Sequence, residues 1–240
     1  MSRRAALGLA AVAAMSLAGC GALPPMPGPL PDYVPEAPAP QVAASGSLTP
    51  DGVAAAERMA VRVRNVGCGS LSVGSGFALD EHTVVTNRHV VADSAELQVS
   101  TYDGRDVDVV TVSSTPVADL ALVRTAEPLP QVPGLAEGDP AVGTPVTVVG
   151  YPSGGALTTS AGEVLGTVAD PLGTGMDEVI VTSAAVVGGS SGSAALDADG
   201  RVVGVVYAGD DRGQSYLVPL SLLQTLLADT SAFEPLTSCR

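Results

Sequence analysis

The chain has 240 residues, 46% of them hydrophobic and 15% charged, which is enough apolar material for one sizeable domain or two small ones and excludes disorder throughout. A formal net charge of -14 repels phosphate backbones and anionic headgroups, so no electrostatic binding of nucleic acid is expected. Membrane attachment needs another source.

Residues 1–19 supply one. Arg3 and Arg4 give a positive start, Ala5 to Ser16 form an apolar run, and Leu17-Ala18-Gly19-Cys20 follows. The run is too short to cross a hydrocarbon core, which takes about 20 helical residues. LAGC resembles the lipobox of bacterial lipoproteins, in which a signal peptide is cut before the cysteine and the cysteine, here Cys20, carries the lipid. An ordinary cleaved secretory leader is the alternative, and Ser2-Arg3-Arg4 also permits twin-arginine export. Either way an extracytoplasmic location is expected, lipid-anchored at the cell membrane or else secreted. Residues 20–48 include PPMPGPLPDYVPEAPAP, which has no hydrophobic periodicity, and are expected to form an extended, disordered spacer.

The folded part is expected over 49–240. Thr49 as cap and Pro50 at the first helical position predict a short helix through about Met59. From Ala60 onward, short β-branched runs alternate with Gly, Asp and Pro turns, as in AVRVRNV, HTVVT, LALVRT, VTVVGYP and RVVGVVYA. About a dozen strands at this spacing predict an all-β fold, a sandwich or paired barrels. The least strand-like interval, Ala126 to Gly143, divides them into a first barrel over about 60–128 and a second over about 138–220. After Pro219 the leucines of LSLLQTLLAD fall at helical spacing, predicting a C-terminal helix over 220–229. With Cys20 lipidated, Cys68 and Cys239 remain, an even pair in an oxidising compartment. That favours a disulfide joining the start of the domain to its end, with two buried free thiols as the alternative.

Only two histidines exist, so a general base is quickly sought. His82 lies in the polar turn Asp80-Glu81-His82-Thr83 and reads as a solvated surface residue. His89 ends an apolar strand in TNRHVV, where a base can be held firmly and still reach a substrate. Asp119 stands directly before the alternating strand LALV, a semi-buried position that demands a partner. A core histidine and a strand-capping aspartate remain the bland readings of each alone. The stretch VVGGSSGSA, residues 186–194, has glycine on both sides of its serines, which lets backbone N–H groups turn toward one point. A strand-to-helix nucleophile elbow is not expected, because strands follow on both sides. With no HExxH and no CxxC pair, neither a metal site nor a cofactor is expected.

Three motifs thus fall in the order His, Asp, Ser. TNRHVV is similar to the TNAHVV, ADLALV to the DLALL-type and GGSSGSA to the GNSGGP motifs of the trypsin-like serine peptidases. The bacterial HtrA/Deg-like branch is the nearest in pattern, and the resemblance covers roughly residues 53–228. It implies two six-stranded antiparallel β-barrels, with His89 as general base, Asp119 as its orienting acid, Ser191 as nucleophile, and the N–H groups of Gly189 and Ser191 as the oxyanion hole. It further implies protein or peptide substrates, bound along Tyr207, Ala208 and Gly209 and against a pocket wall at Ala185 that lacks a trypsin-like aspartate. A small or medium aliphatic P1 residue is expected on that basis. No PDZ-like segment is expected after the terminal helix, and the sequence leaves the oligomeric state open. Two departures stand out: Arg88 replaces a small residue before the histidine, and Ser193-Ala194 replaces Gly-Pro after the nucleophile. A catalytically inactive fold that captures extended peptides by strand addition is the rival reading.

Overall fold

The computed structural model describes residues 53–239. The expected leader at 1–19, the spacer at 20–48 with its lipidated Cys20, and the start of the first helix lie outside the described residues. Of that helix one turn is present, α1 (Ala55–Arg58).

The rest is mostly strand. The first unit comprises β1 (Ala60–Gly67), β2 (Leu71–Asp80), β3 (Thr83–Thr86), the one-turn helix α2 (Arg88–Val91), β4 (Ser94–Thr101), β5 (Asp106–Val107), β6 (Val109–Thr115) and β7 (Leu120–Thr125). The second comprises β8 (Pro145–Gly150), β9 (Thr158–Ala169), β10 (Glu178–Thr182), β11 (Ala194–Leu196), β12 (Val202–Gly209) and β13 (Ser215–Pro219), followed by α3 (Leu220–Ala228) and the two-residue β14 (Glu234–Pro235).

The second unit closes into a six-stranded barrel in the order β10-β13-β12-β11-β8-β9. The first is an eight-stranded sheet, β14-β6-β7-β3-β2-β1-β4-β5, where six strands were expected. The two extra strands are very short: β5 pairs with β4, and β14 returns from the chain end to pair with β6. Neither carries the β-branched run by which a strand is recognised in sequence.

Alternation decides which side chains face inward. In β1, Val61 and Val63 are buried while Arg64 is exposed, and Val61, Val63, Val84, Val99 and Val123 form the core of the first sheet. The larger core fills the second barrel and extends to Met59, Ala60, Phe77 and Leu120 of the first unit, so the contact between the units is apolar. In α3 the buried Leu220, Leu223 and Leu226 bear on this core. Cys68 and Cys239 are joined by a disulfide with a Cα–Cα distance of 6.0 Å, tying the β1–β2 turn to the chain end. Among the described residues no helix is long and apolar enough to cross a membrane.

Candidate active site

Asp119 occupies the turn before β7, only 8% exposed, and its backbone and side chain organise the turn that carries His89. Its carbonyl oxygen accepts from Asn87 Nδ2 at 2.7 Å and from the Arg88 N–H at 3.3 Å. Its Oδ1 accepts from the His89 N–H at 2.9 Å, and its Oδ2 pairs with His89 Nδ1. A carboxylate only accepts, so Nδ1 carries the proton and Nε2 presents its lone pair. From the other side Asn65 in β1 donates through Nδ2 to the carbonyls of Val90 and Ala92 at 3.0 and 2.8 Å, which anchors the single turn of α2. An isolated four-residue helix would not persist in water, so these tertiary bonds make it possible.

The serine loop between β10 and β11 can be followed bond by bond. The carbonyls of residues 188 to 191 are all held: Gly188 by the Ser153 N–H at 2.6 Å, Gly189 by Ser75 Oγ at 2.8 Å, Ser190 by the Ser193 N–H at 3.0 Å, and Ser191 by the Ser75 N–H at 2.7 Å. The N–H groups of Ser190, Gly192 and Ser193 donate to Val187, Val206 and Ser190 carbonyls. Those of Gly189 and Ser191 find no acceptor among the described residues. A trans peptide sets its C=O and N–H in opposite directions. Fixing the Gly188 and Ser190 carbonyls therefore aims the Gly189 and Ser191 N–H groups away from those partners. The turns need positive φ, +93° at Gly189 and +88° at Gly192, and a Cβ on Gly192 would lie 2.0 Å from the Ser75 carbonyl oxygen.

The two halves meet through Ser75, whose carbonyl accepts from Thr86 Oγ1 at 2.7 Å, just before the histidine turn. Among the described residues Ser191 Oγ makes no hydrogen bond to His89.

A cleft of about 410 Å³ opens beside Ser191, lined among others by Leu172, Val186, Val187, Val206, Ala208 and Asp210. Of the residues expected to meet substrate, Ala208 and Gly209 line it. Ala185 and Tyr207 do not. Ala185 accepts a hydrogen bond from Ser160 Oγ through its carbonyl, and Tyr207 is 2% exposed at a β-bulge in β12. A bulge re-aims its side chain, and Tyr207 Oη donates to Asp170 Oδ1 at 2.8 Å. Burial pushes the Tyr207 hydroxyl pKa up, and the Asp170 and Asp119 carboxylates add to this. Burial also works to raise the Asp170 pKa, but hydrogen bonds from Leu172, Tyr207 and Thr174 outweigh it and hold it below the usual carboxylate range. Leu172 and Asp210 escaped the sequence reading, having no motif and reaching the cleft from separate loops. Asp210 is held by the Gln214 and Arg212 N–H groups and by the Tyr216 hydroxyl, which lower its pKa. The other histidine, His82, sits in the β2–β3 turn with its ring against the Thr125 carbonyl.

A profile of the trypsin-like peptidase domain matches residues 74–205, more than half of the chain. The chain belongs to that family. It is 30% identical over 196 residues to the serine protease Rv3671c of Mycobacterium tuberculosis, covering 76% of this chain and 49% of that protein. It is 34% identical over 164 residues to the mitochondrial serine protease HTRA2 of Bos taurus, covering 65% of this chain and 36% of that one. Among solved structures, the active form of the M. tuberculosis Rv3671c protease superposes with a TM-score of 0.69 at 28% identity, covering 77% of this chain and 86% of that one. The chain spans about half the length of these curated relatives from M. tuberculosis. Within the family frame, Ser193 stands where the motif has a second glycine. It is fully buried, and Gly150 makes the space: a Cβ on Gly150 would lie 1.9 Å from Ser193 Oγ.

Proposed function

We propose that the chain is a serine endopeptidase acting through Ser191, His89 and Asp119. The observation that carries the reading is the pairing of His89 with a buried Asp119, together with a serine loop in which the Gly189 and Ser191 N–H groups have no acceptor among the described residues. His89 Nε2 takes the proton from Ser191 Oγ as that oxygen attacks the scissile carbonyl, and the Gly189 and Ser191 N–H groups hold the resulting oxyanion. Collapse passes the proton to the leaving amine and leaves an ester on Ser191. Water then attacks that ester by the same route and releases the acid. Asp119 keeps the imidazole in the Nδ1–H form and balances its charge when protonated.

The apolar wall of Val186, Val187, Val206 and Leu172 favours a small or medium aliphatic P1 side chain, and Asp210 at the rim disfavours an acidic one. Strong Arg or Lys preference in a peptide-library digest would count against this pocket. The leader and Cys20 support an extracytoplasmic enzyme tethered by lipid and working on protein or peptide substrates; two DegP-like relatives carry a periplasmic designation. Replacing Cys20 by serine is expected to release the chain from the membrane fraction and to end incorporation of labelled fatty acid.

The decisive experiment is labelling of the full chain with a fluorophosphonate. Wild type is expected to label, Ser191→Ala to be blank, and Asp119→Asn to lose activity by about 10⁴. Label that persists in Ser191→Ala overturns the assignment. Absence of label in a wild type that binds extended peptides favours the peptide-capture module instead.

A further inference from the structure

We infer that Ser75, a residue of the other structural unit, is a positioning residue that sets the oxyanion-binding donors; this rests on the reading of Ser191 as nucleophile. Ser75 lies in β2, fully buried, and all its polar atoms are engaged with the site. Its N–H donates to the Ser191 carbonyl at 2.7 Å, and its carbonyl accepts from Thr86 Oγ1 at 2.7 Å. Its hydroxyl donates to the Gly189 carbonyl at 2.8 Å and accepts from the Tyr151 N–H at 2.8 Å.

The last two bonds matter most. Tyr151 opens the tight turn Pro152–Gly154, in which Ser153 has φ +56°, a left-handed conformation that costs a non-glycine residue free energy. That turn aims the Ser153 N–H at the Gly188 carbonyl, and the Gly188–Gly189 peptide carries one of the two free donors. One hydroxyl therefore holds the Gly189 carbonyl directly and the Gly188 carbonyl through the turn. Without it, the Ser153 N–H still reaches the Gly188 carbonyl, but from a turn no longer tied at the Tyr151 N–H, and the Gly189 carbonyl loses its donor, so the Gly188–Gly189 peptide is held less firmly. The hydroxyl spans the contact between the units, so the donors are formed only when the first sheet is seated on the barrel.

This chain of bonds meets the cleft only at the backbone of Gly188 and Ser191, and the side chains of its apolar wall, Leu172, Val186, Val187 and Val206, take no part in it. Loss of the hydroxyl should thus weaken the transition state and leave ground-state binding alone. The test compares wild type, Ser75→Ala and Ser75→Cys, in which sulfur fills the site but donates weakly. The probes are a peptide p-nitroanilide with valine at P1, a peptide boronic acid that forms a tetrahedral adduct, and the product peptide acid. In Ser75→Ala, kcat is expected to fall about 10- to 100-fold with KM within about twofold, since removing a whole donor costs 10² to 10³. Boronate affinity should fall in parallel, product affinity should hold, and Ser75→Cys should lie between.

An unchanged kcat in folded Ser75→Ala overturns the inference. So does a parallel loss of kcat and product affinity that follows the fraction folded, or failure of both variants to fold, because the residue is then structural. Ser191→Ala run alongside separates the two claims. Full activity in Ser191→Ala removes the nucleophile assignment whatever Ser75 does, whereas an inert Ser191→Ala beside a normal Ser75→Ala removes only the positioning role.

Discussion

Two glycine-rich loops border the same cleft and are held in opposite ways. In the serine loop every carbonyl from 188 to 191 has a donor, two of the four supplied by Ser75 from the first sheet. The loop at 170–176, DPLGTGM, is organised by one side chain of its own, Asp170, which accepts from Leu172, Thr174 and Tyr207. The first loop is built of bonds that do not titrate and that arrive from both units. The second is anchored by its buried Met176 and by a Gly173 N–H bond to the Asp170 carbonyl, but its remaining bonds gather on one carboxylate, so it can be loosened by a proton or by removal of one hydroxyl. The contrast matches their positions, since the serine loop carries Ser191, the proposed nucleophile, while the second carries Leu172, a wall of the cleft.

The contrast breaks most sharply at the glycines. Gly192→Ala puts a Cβ 2.0 Å from a backbone oxygen of Ser75 at φ +88°, whereas Gly173→Ala in the second loop, at φ +62°, meets nothing within 4 Å. Peptidase activity is expected to fall more than about 100-fold in the first variant, from a displaced donor. The second should lose about 1 to 2 kcal/mol from backbone strain, read by thermal unfolding, and keep its kcat.

Tyr207→Phe comes next. It leaves the buried ring in place and removes the donor to Asp170, so Leu172 is less well held. KM for a valine P1 substrate should rise about three- to tenfold with kcat changed less, the mark of lost ground-state binding. A change in kcat alone would show that the tyrosine acts on the serine loop instead.

Acid provides a milder probe. The pKa of Asp170 is depressed in the folded chain, so its contribution is present above the unfolded carboxylate value and is lost as pH falls through the folded one. Hydrogen exchange over 170–176 is expected to accelerate below about pH 4, the ordinary carboxylate range, with the amides of the serine loop unaffected by this step. Asp170→Asn should show the faster exchange already at neutral pH.

The smallest effect is expected at Ser193. Its hydroxyl is buried without a hydrogen-bond partner among the described residues, a costly arrangement for a polar group. Ser193→Ala should therefore match or slightly exceed wild type in thermal stability and retain activity.

Much of the site was legible in the chain itself. TNRHVV and ADLALV each place one titratable residue at the edge of an apolar strand, and GGSSGS places glycines where the backbone takes positive φ. At Tyr207 the bulge in β12 turns the side chain toward Asp170, and strand alternation along the sequence gives no hint of it. Ala185 is expected on the pocket wall from the family's segment before the nucleophile, and of that segment Val186 is the residue that lines the cleft. Ser75 passed unnoticed as a small residue within GSGFALD, since nothing local marks a serine whose partners lie 76 and 114 residues away.

Local chemistry determined the elements, their alternation and the residue types able to catalyse, because these depend on spacing along the chain. Tertiary structure alone decided which carbonyls are tied back and which N–H groups are left without acceptors. That outcome depends on how the first sheet sits against the barrel, a long-range relation carried by a few buried hydrogen bonds rather than by any pattern of neighbouring residues.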